Sequence, residues 1–139
     1  MKGYNVIAVF NETADQWLMC RRKKNPFKGL SNLVGGKIEE GEDGTTAAYR
    51  ELQEETGITK DNIELHHLAD FTYYYSNLYL EVWVGRVKQN LEVAGDENEL
   101  YWSKLDCNFF DMEQYAGNGN IGHILEEIKY YWKQLLKLE

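Results

Sequence analysis

The order of apolar and polar positions divides the chain into short strands, two helices and connecting loops. Tyr4 to Phe10 is an apolar, β-branched run and Trp17 to Arg22 is a second. The polar stretch Asn11-Glu12-Thr13-Ala14-Asp15 separates them, so the chain is expected to open as a hairpin. Asn25 to Leu30 carries the only proline, Pro26, together with Gly29, and reads as a loop. A helix is predicted from a cap at Asp43 to about Thr56. Ala47, Ala48 and Leu52 share its sheet side, and Gly57 suits a left-handed stop. Ile63 to Tyr75 and Leu78 to Val87 read as a long antiparallel pair turning at Ser76-Asn77. In the first of these strands Phe71, Tyr73 and Tyr75 share one face, and Thr72 and Tyr74 the other. An acidic loop, Gly95-Asp96-Glu97-Asn98-Glu99, precedes the segment Tyr101 to Leu105. Ile121, Ile124, Leu125, Ile128, Trp132 and Leu135 recur with a period near 3.6 and predict one amphipathic helix over a sheet face.

With 139 residues, 43% of them hydrophobic, the chain can build one domain around a substantial core. Ten tyrosines and four tryptophans offer planar surfaces to a flat ligand, although rings at alternate strand positions mostly pack against neighbours. The formal charge of −8 lacks the basic footprint of a polyanion binder, so no nucleic-acid polymer is expected as partner. A small anionic substrate stays compatible with that charge if metal ions and a local basic patch neutralise it. The one dense basic run is Arg21-Arg22-Lys23-Lys24. Cys20 and Cys107 lack any paired spacing and are expected to be buried free thiols. His66 and His67 are adjacent, so a strand would point them to opposite faces. With no matching ligand pair elsewhere, no zinc site is expected. No signal peptide, transmembrane run or repeat is visible, which points to the cytoplasm and away from a membrane partner.

The chemistry concentrates between Gly36 and Ile58, GKIEEGEDGTTAAYRELQEETGI. On a helix Glu51 and Glu55 lie one turn apart, with Glu54 adjacent to both. Like charges at that spacing repel. A hard divalent cation reverses the effect, since Mg²⁺ takes oxygen ligands from carboxylates and substrate phosphates. The paired glycines ahead of the helix, Gly35 and Gly36, let backbone groups approach a ligand with no Cβ in the way.

Gly36, Glu42, Arg50, Glu51, Leu52, Glu54, Glu55, Gly57 and Ile58 also match a known signature at every fixed position. It reads Gly, five residues, Glu, seven residues, then Arg-Glu-apolar-any-Glu-Glu-any-Gly-apolar. On these residues the chain resembles a Nudix hydrolase of the MutT type. The resemblance implies an α+β fold, a mixed sheet inside an α/β/α sandwich, as a single domain over residues 1–139 with the box at 36–58. It implies Mg²⁺, with Mn²⁺ as a substitute, held by Glu51, Glu54, Glu55 and the carbonyl of Gly35. Catalysis falls to Glu54, Glu51, Arg50 and Glu97. Arg50 is expected to orient one glutamate through a bidentate salt bridge rather than touch substrate. Glu97 is preferred over Glu99 as the downstream glutamate that reaches the metal or activates water, and Glu42 is expected to brace the loop. Arg22 (or Arg21) and Lys37 would meet substrate phosphates. Asn32 stands where purine-selective relatives read a base edge, and as a turn residue it could instead bond its own backbone.

The chain departs from many relatives in having Ser31 and Val34 where a Trp and a Pro precede the two glycines. The usual aromatic platform is therefore missing there. The implied substrate is a (deoxy)nucleoside triphosphate, including oxidised purines such as 8-oxo-dGTP, cleaved to monophosphate and pyrophosphate. The alternatives are dinucleoside polyphosphate hydrolysis, for which a tyrosine among Tyr73, Tyr74 and Tyr75 would be the marker, and a non-catalytic nucleotide-binding module. Retention of every box glutamate speaks against the last. Nucleotide sugars are disfavoured because the proline such relatives carry downstream of the box is absent. A monomer or homodimer is expected.

Overall fold

Lys2–Phe10 forms β1, and Ile7, Ala8, Val9 and Phe10 at its end are all fully buried. Successive side chains of a strand point to opposite faces, so such a run needs cover on both sides and belongs in the middle of a sheet. The computed structural model describes residues 1–138 apart from 94, 96 and 97, and places β1 there. The further strands are β2 (Gln16–Arg21), β3 (Ser31–Asn32), β4 (His66–Tyr73), β5 (Leu78–Arg86) and β6 (Glu99–Lys104). Their order is β3-β2-β1-β5-β4, with β6 also paired to β2.

β1 runs parallel to β5 from Lys2↔Leu78 to Phe10↔Arg86, whereas it meets β2 antiparallel only at Phe10↔Trp17. The opening hairpin thus exists at its turn alone. β2 instead pairs along its length with β6, from Gln16↔Lys104 to Arg21↔Glu99, and its end takes β3. Antiparallel and parallel pairs in one sheet make it mixed.

Helix α1 (Gly44–Thr56) begins as expected: Asp43 Oδ1 accepts from the Thr46 amide at 2.8 Å, and that bond holds its carboxyl below the usual range. It ends at Gly57, whose φ of 82° frees its amide to reach the Gln53 carbonyl. Ala48 and Leu52 pack with Ile7, Val9, Leu18 and Trp83 on one face of the sheet. The other face carries Ala8, Phe10, Trp17, Met19, Val82 and Val84 beneath Ile121, Ile124, Leu125 and Ile128. Two apolar layers on opposite faces of one mixed sheet define the α/β/α sandwich.

Several boundaries differ from the sequence reading. The C-terminal helix is two pieces, α2 (Asn120–Tyr130) and α3 (Trp132–Leu136), broken at Tyr131, so Trp132 and Leu135 turn onto the core by a separate short helix. Ile63 lies outside β4 and pairs with Val87 by an isolated bridge, its buried side chain packed in the apolar layer with Ile7 and Val9. The turn after β4 spans Tyr74 to Asn77, and Tyr75 projects fully into solvent. Glu99 belongs to β6 rather than to a loop. Cys20 is a buried free thiol, but Cys107 is exposed.

Candidate active site

The glycine pair is locked to the first strand. The Asn5 amide donates to the Gly36 carbonyl at 2.8 Å, and the Gly36 amide donates to Asn5 Oδ1 at 2.9 Å. Gly35 sits at φ 152°, and a Cβ there would lie 2.1 Å from the Asn5 carbonyl oxygen. At Gly36 a Cβ would lie 2.3 Å from Glu51 Oε2, so the carboxylate occupies the space the missing side chain leaves. Glu55 reaches the same turn, accepting from the Gly35 amide at 3.3 Å. Two box carboxylates therefore converge on the Gly35–Gly36 backbone from α1.

Arg50 organises the remainder. Its Nε and Nη2 grip both oxygens of Glu42 at 2.7 and 2.9 Å. Nη1 donates to Glu51 at 3.0 Å and Glu54 at 3.2 Å, and Nη2 also donates to the Lys37 carbonyl at 2.9 Å. The bidentate partner is thus Glu42, the loop residue, while the two helix glutamates receive single bonds. Arg50 holds the Glu42 carboxyl down at about 2, with the Glu39 amide assisting. The Glu51 carboxyl is pushed the other way: burial raises it, and the Arg50 bond only partly offsets that rise. Glu54 keeps most of its side chain in solvent.

A cleft of about 540 Å³ opens beside this turn, lined by Asn5, Cys20, Arg22, Phe27, Asn32, Gly35, Gly36, Glu55, Tyr73 and Asn98 among others. Arg22 stands just past the end of β2, where its backbone closes the 23–29 loop by bonds with Leu30 and Gly29. Its Nε donates to the Pro26 carbonyl at 2.8 Å. Arg21 is held away from the cleft, 3.8 Å from Glu99 across the strand pair. Asn32 Oδ1 accepts the Leu33 amide at 2.8 Å, the own-backbone bond expected of a turn residue, which leaves its Nδ2 as the donor available at the cleft. Phe27 and Tyr73 form an exposed aromatic rim, and Asn120 at the start of α2 donates to the Tyr73 hydroxyl. Cys20 lies on the cleft wall with its thiol pushed up to about 12 by burial and by the nearby Glu55 charge, so it is an inert neutral group at physiological pH.

Lys37 is exposed and does not line this cleft. Glu97 lies outside the described residues. Asn5 was missed by sequence reasoning. Its one signal was a carboxamide in the middle of an otherwise apolar strand, where such residues are disfavoured.

The Glu51, Glu54 and Glu55 oxygens and the Gly35 carbonyl are hard donors, and the carboxylate seated in the Gly36 gap fits an oxygen-ligated divalent ion. Among the described residues, a different group has its ligating atoms already gathered: His67, Asp70 and Glu81, all within 4.8 Å of one another. A bulge between His67 and Ala69 brings this about. It shifts the register so that His67 faces Trp83 and Asp70 faces Glu81 on one side of the β4–β5 pair. Strict alternation would have put His67 and Asp70 on opposite faces, which is why the sequence showed no companion ligands for the histidine. His67 stacks on the Trp83 ring at 4.5 Å, and the Trp83 indole donates to Glu81 at 3.1 Å.

Comparison with known proteins agrees with the fold and the box. A family model described as the NUDIX domain matches residues 1–127. The chain belongs to the Nudix hydrolase family. It is 47% identical over 47 residues to the ADP-ribose pyrophosphatase of Methanocaldococcus jannaschii, covering 34% of this chain and 28% of that protein. It is 31% identical over 103 residues to the RNA pyrophosphohydrolase of Pelagibacter ubique, covering 68% and 63%. In each case the match spans less than two thirds of the relative. Among solved structures it resembles a C. elegans Ap4A hydrolase binary complex with a TM-score of 0.74 and 20% identity, covering 93% of this chain and 97% of that one. At that identity the likeness concerns the fold alone. Among the described residues no helix is long and apolar enough to cross a membrane.

Proposed function

We propose that this chain is a Mg²⁺-dependent hydrolase of a phosphoric anhydride in a nucleoside diphosphate derivative, with a (deoxy)nucleoside triphosphate as substrate. The observation that carries the reading is the meeting of two box carboxylates with the Gly35–Gly36 backbone at the edge of a cleft that also holds Arg22, Asn32 and an aromatic rim.

Glu51, Glu54, Glu55 and the Gly35 carbonyl would hold Mg²⁺, with Mn²⁺ as a substitute. When bound, the ion neutralises phosphate charge and lowers the pKa of coordinated water. The chain supplies the remainder. Arg22 offers a guanidinium to the phosphates, Lys37 a second, more distant charge, and Asn32 Nδ2 a donor to a base edge. Phe27 and Tyr73 offer ring faces to the base. Arg50 fixes the carboxylates and does not meet substrate. Glu54, the most solvated of the three, or Glu97 accepts the proton of the attacking water. Water adds to phosphorus, the bridging P–O bond breaks, and monophosphate and pyrophosphate leave. The acidic net charge suits a small-molecule nucleotide rather than a nucleic-acid polymer or a membrane. We place the protein in the cytoplasm, as a monomer or homodimer of one domain.

Tyr73 on the cleft rim favours one second reading, hydrolysis of dinucleoside polyphosphates, where a second base needs a stacking surface. The test is pyrophosphate or monophosphate release from a panel with Mg²⁺: dGTP, 8-oxo-dGTP, dCTP, diadenosine polyphosphates and ADP-ribose, comparing wild type with Glu54→Gln. Triphosphates should turn over fastest, and the variant should lose turnover. Unchanged activity in Glu54→Gln would refute the metal-site assignment. A wild type that binds nucleotide yet turns over none of the panel would favour a non-catalytic binding module.

A further inference from the structure

Asn5 is 2% exposed, and its Nδ2 is a buried donor with no hydrogen-bond partner among the described residues. The orientation of the carboxamide is set, because the Gly36 amide must meet an acceptor and so fixes Oδ1 on that side. The remaining Nδ2 belongs to a residue on the cleft wall, beside the glycine turn that Glu51 and Glu55 approach. Natural proteins seldom leave a buried donor unpaired, because it has given up its water and gained nothing in return. Where the residue that bears such a donor lines a cleft, a ligand acceptor reached by a small shift of the lining is the economical explanation.

We propose that Asn5 is a substrate-contacting residue: Oδ1 holds the Gly36 amide while Nδ2 donates to a phosphate oxygen of the bound nucleotide. The proposal rests on the nucleotide reading above. Phosphate is the acceptor because Asn5 is bonded to Gly36, in the turn that the box carboxylates approach. A neutral amide suits this place. It completes the phosphate shell without adding a cation next to Glu55 and without competing for the carboxylates. The same side chain thereby couples substrate binding to the position of the glycine turn.

The test uses two measurements on the intact chain. First, calorimetry with Mg²⁺ compares wild type and Asn5→Asp for binding of an α,β-methylene nucleoside triphosphate and of inorganic pyrophosphate. Aspartate keeps the acceptor for Gly36, removes the donor and adds a negative charge, so weaker binding supports the contact only together with the resonance shift of the second measurement. Both ligands should bind at least tenfold more weakly to the variant. Second, the Asn5 side-chain amide resonances of wild type should shift on addition of Mg²⁺ and pyrophosphate, a readout that does not depend on the variant folding. Equal affinity in the two proteins, or Asn5 resonances that stay still while the Gly36 resonance moves, would overturn the contact and leave the nucleotide reading intact. Weakened nucleotide binding with unchanged pyrophosphate binding would assign the donor to base or ribose and overturn the phosphate contact. If wild type binds neither ligand, the nucleotide reading itself fails, and this inference with it.

Discussion

Arg50 holds both carboxylate oxygens of Glu42, Nε on Oε2 at 2.7 Å and Nη2 on Oε1 at 2.9 Å, and spends its third nitrogen edge on Glu51 and Glu54. A loop residue eight positions upstream therefore sets the aim of two helix carboxylates. A lysine keeps the charge but has no planar fork. Arg50→Lys should lower kcat by about 100-fold, the order of loss expected when reacting groups are misplaced by an ångström. The Mg²⁺ concentration for half-maximal rate should rise, while KM for nucleotide changes little. Steady-state kinetics at varied Mg²⁺ decide this, and a kcat within twofold of wild type would contradict it.

The same pair predicts a pH signature. Glu42 has its carboxyl held at about 2, below its ordinary 4.5, so its contribution to stability is complete above 4.5 and is lost as pH falls from there through 2. Glu51 is raised, so its contribution has the opposite sign and declines as pH rises above 4.5. In metal-free buffer the Tm difference between wild type and Glu42→Gln should be greatest near pH 7 and shrink below pH 4.5. Thermal melts at intervals from pH 7 to 3 measure it. A constant difference would show that Glu42 acts through its shape alone.

The two glycines should fail differently. At Gly35 a methyl group would strike the Asn5 backbone at 2.1 Å, and a φ of 152° disfavours any side chain. Gly35→Ala should therefore cost about 2–4 kcal/mol of folding stability. At Gly36 the methyl group would displace the flexible end of Glu51 instead. Gly36→Ala should cost under about 1 kcal/mol, yet lower kcat about 10- to 100-fold through the shifted carboxylate. Urea denaturation beside kinetics separates the two, and the reverse ordering of stabilities would refute this account.

Among the described residues two sets of side chains have metal-binding chemistry, and only one is expected to serve the reaction. Chelation of divalent ions should abolish turnover, and added Mg²⁺ should restore it. Glu54→Gln should lose that restoration, whereas His67→Ala, in the strand cluster with Asp70 and Glu81, should stay within twofold of wild type. Rates measured after chelation and metal repletion test the point. A His67→Ala enzyme that no longer responds to Mg²⁺ would move the essential ion to the strands.

Asn32 offers the cleft its Nδ2 amide group, since Oδ1 already accepts from the Leu33 amide. Asn32→Ala should reduce the preference for purine over pyrimidine triphosphates by about tenfold, roughly one hydrogen bond to a base, and leave the rate on the better substrate within about threefold. Equal losses on dGTP and dCTP would rule out base reading by this residue.

Periodicity and local chemistry were sufficient for much of this protein. The α1 limits followed from Asp43 and Gly57, because a cap and a left-handed stop act through near neighbours in the chain. The carboxylate cluster followed from helical spacing, and the family from nine residues of the box. Other features depended on distant partners. The apolar pattern of β1 was plain, but its long pairing with β5 instead of β2 arises from contacts more than seventy residues apart. The bulge after His67 reset which side chains share a face, so no period-2 reading could assemble His67 with Asp70 and Glu81. Glu42 was legible as a brace, but not that it would take both oxygens' worth of Arg50. Asn5 read only as a misfit in a strand. Its meaning came from burial, from the Gly36 amide it accepts and from the donor left unpaired, and burial is a property of the folded whole rather than of any stretch of chain.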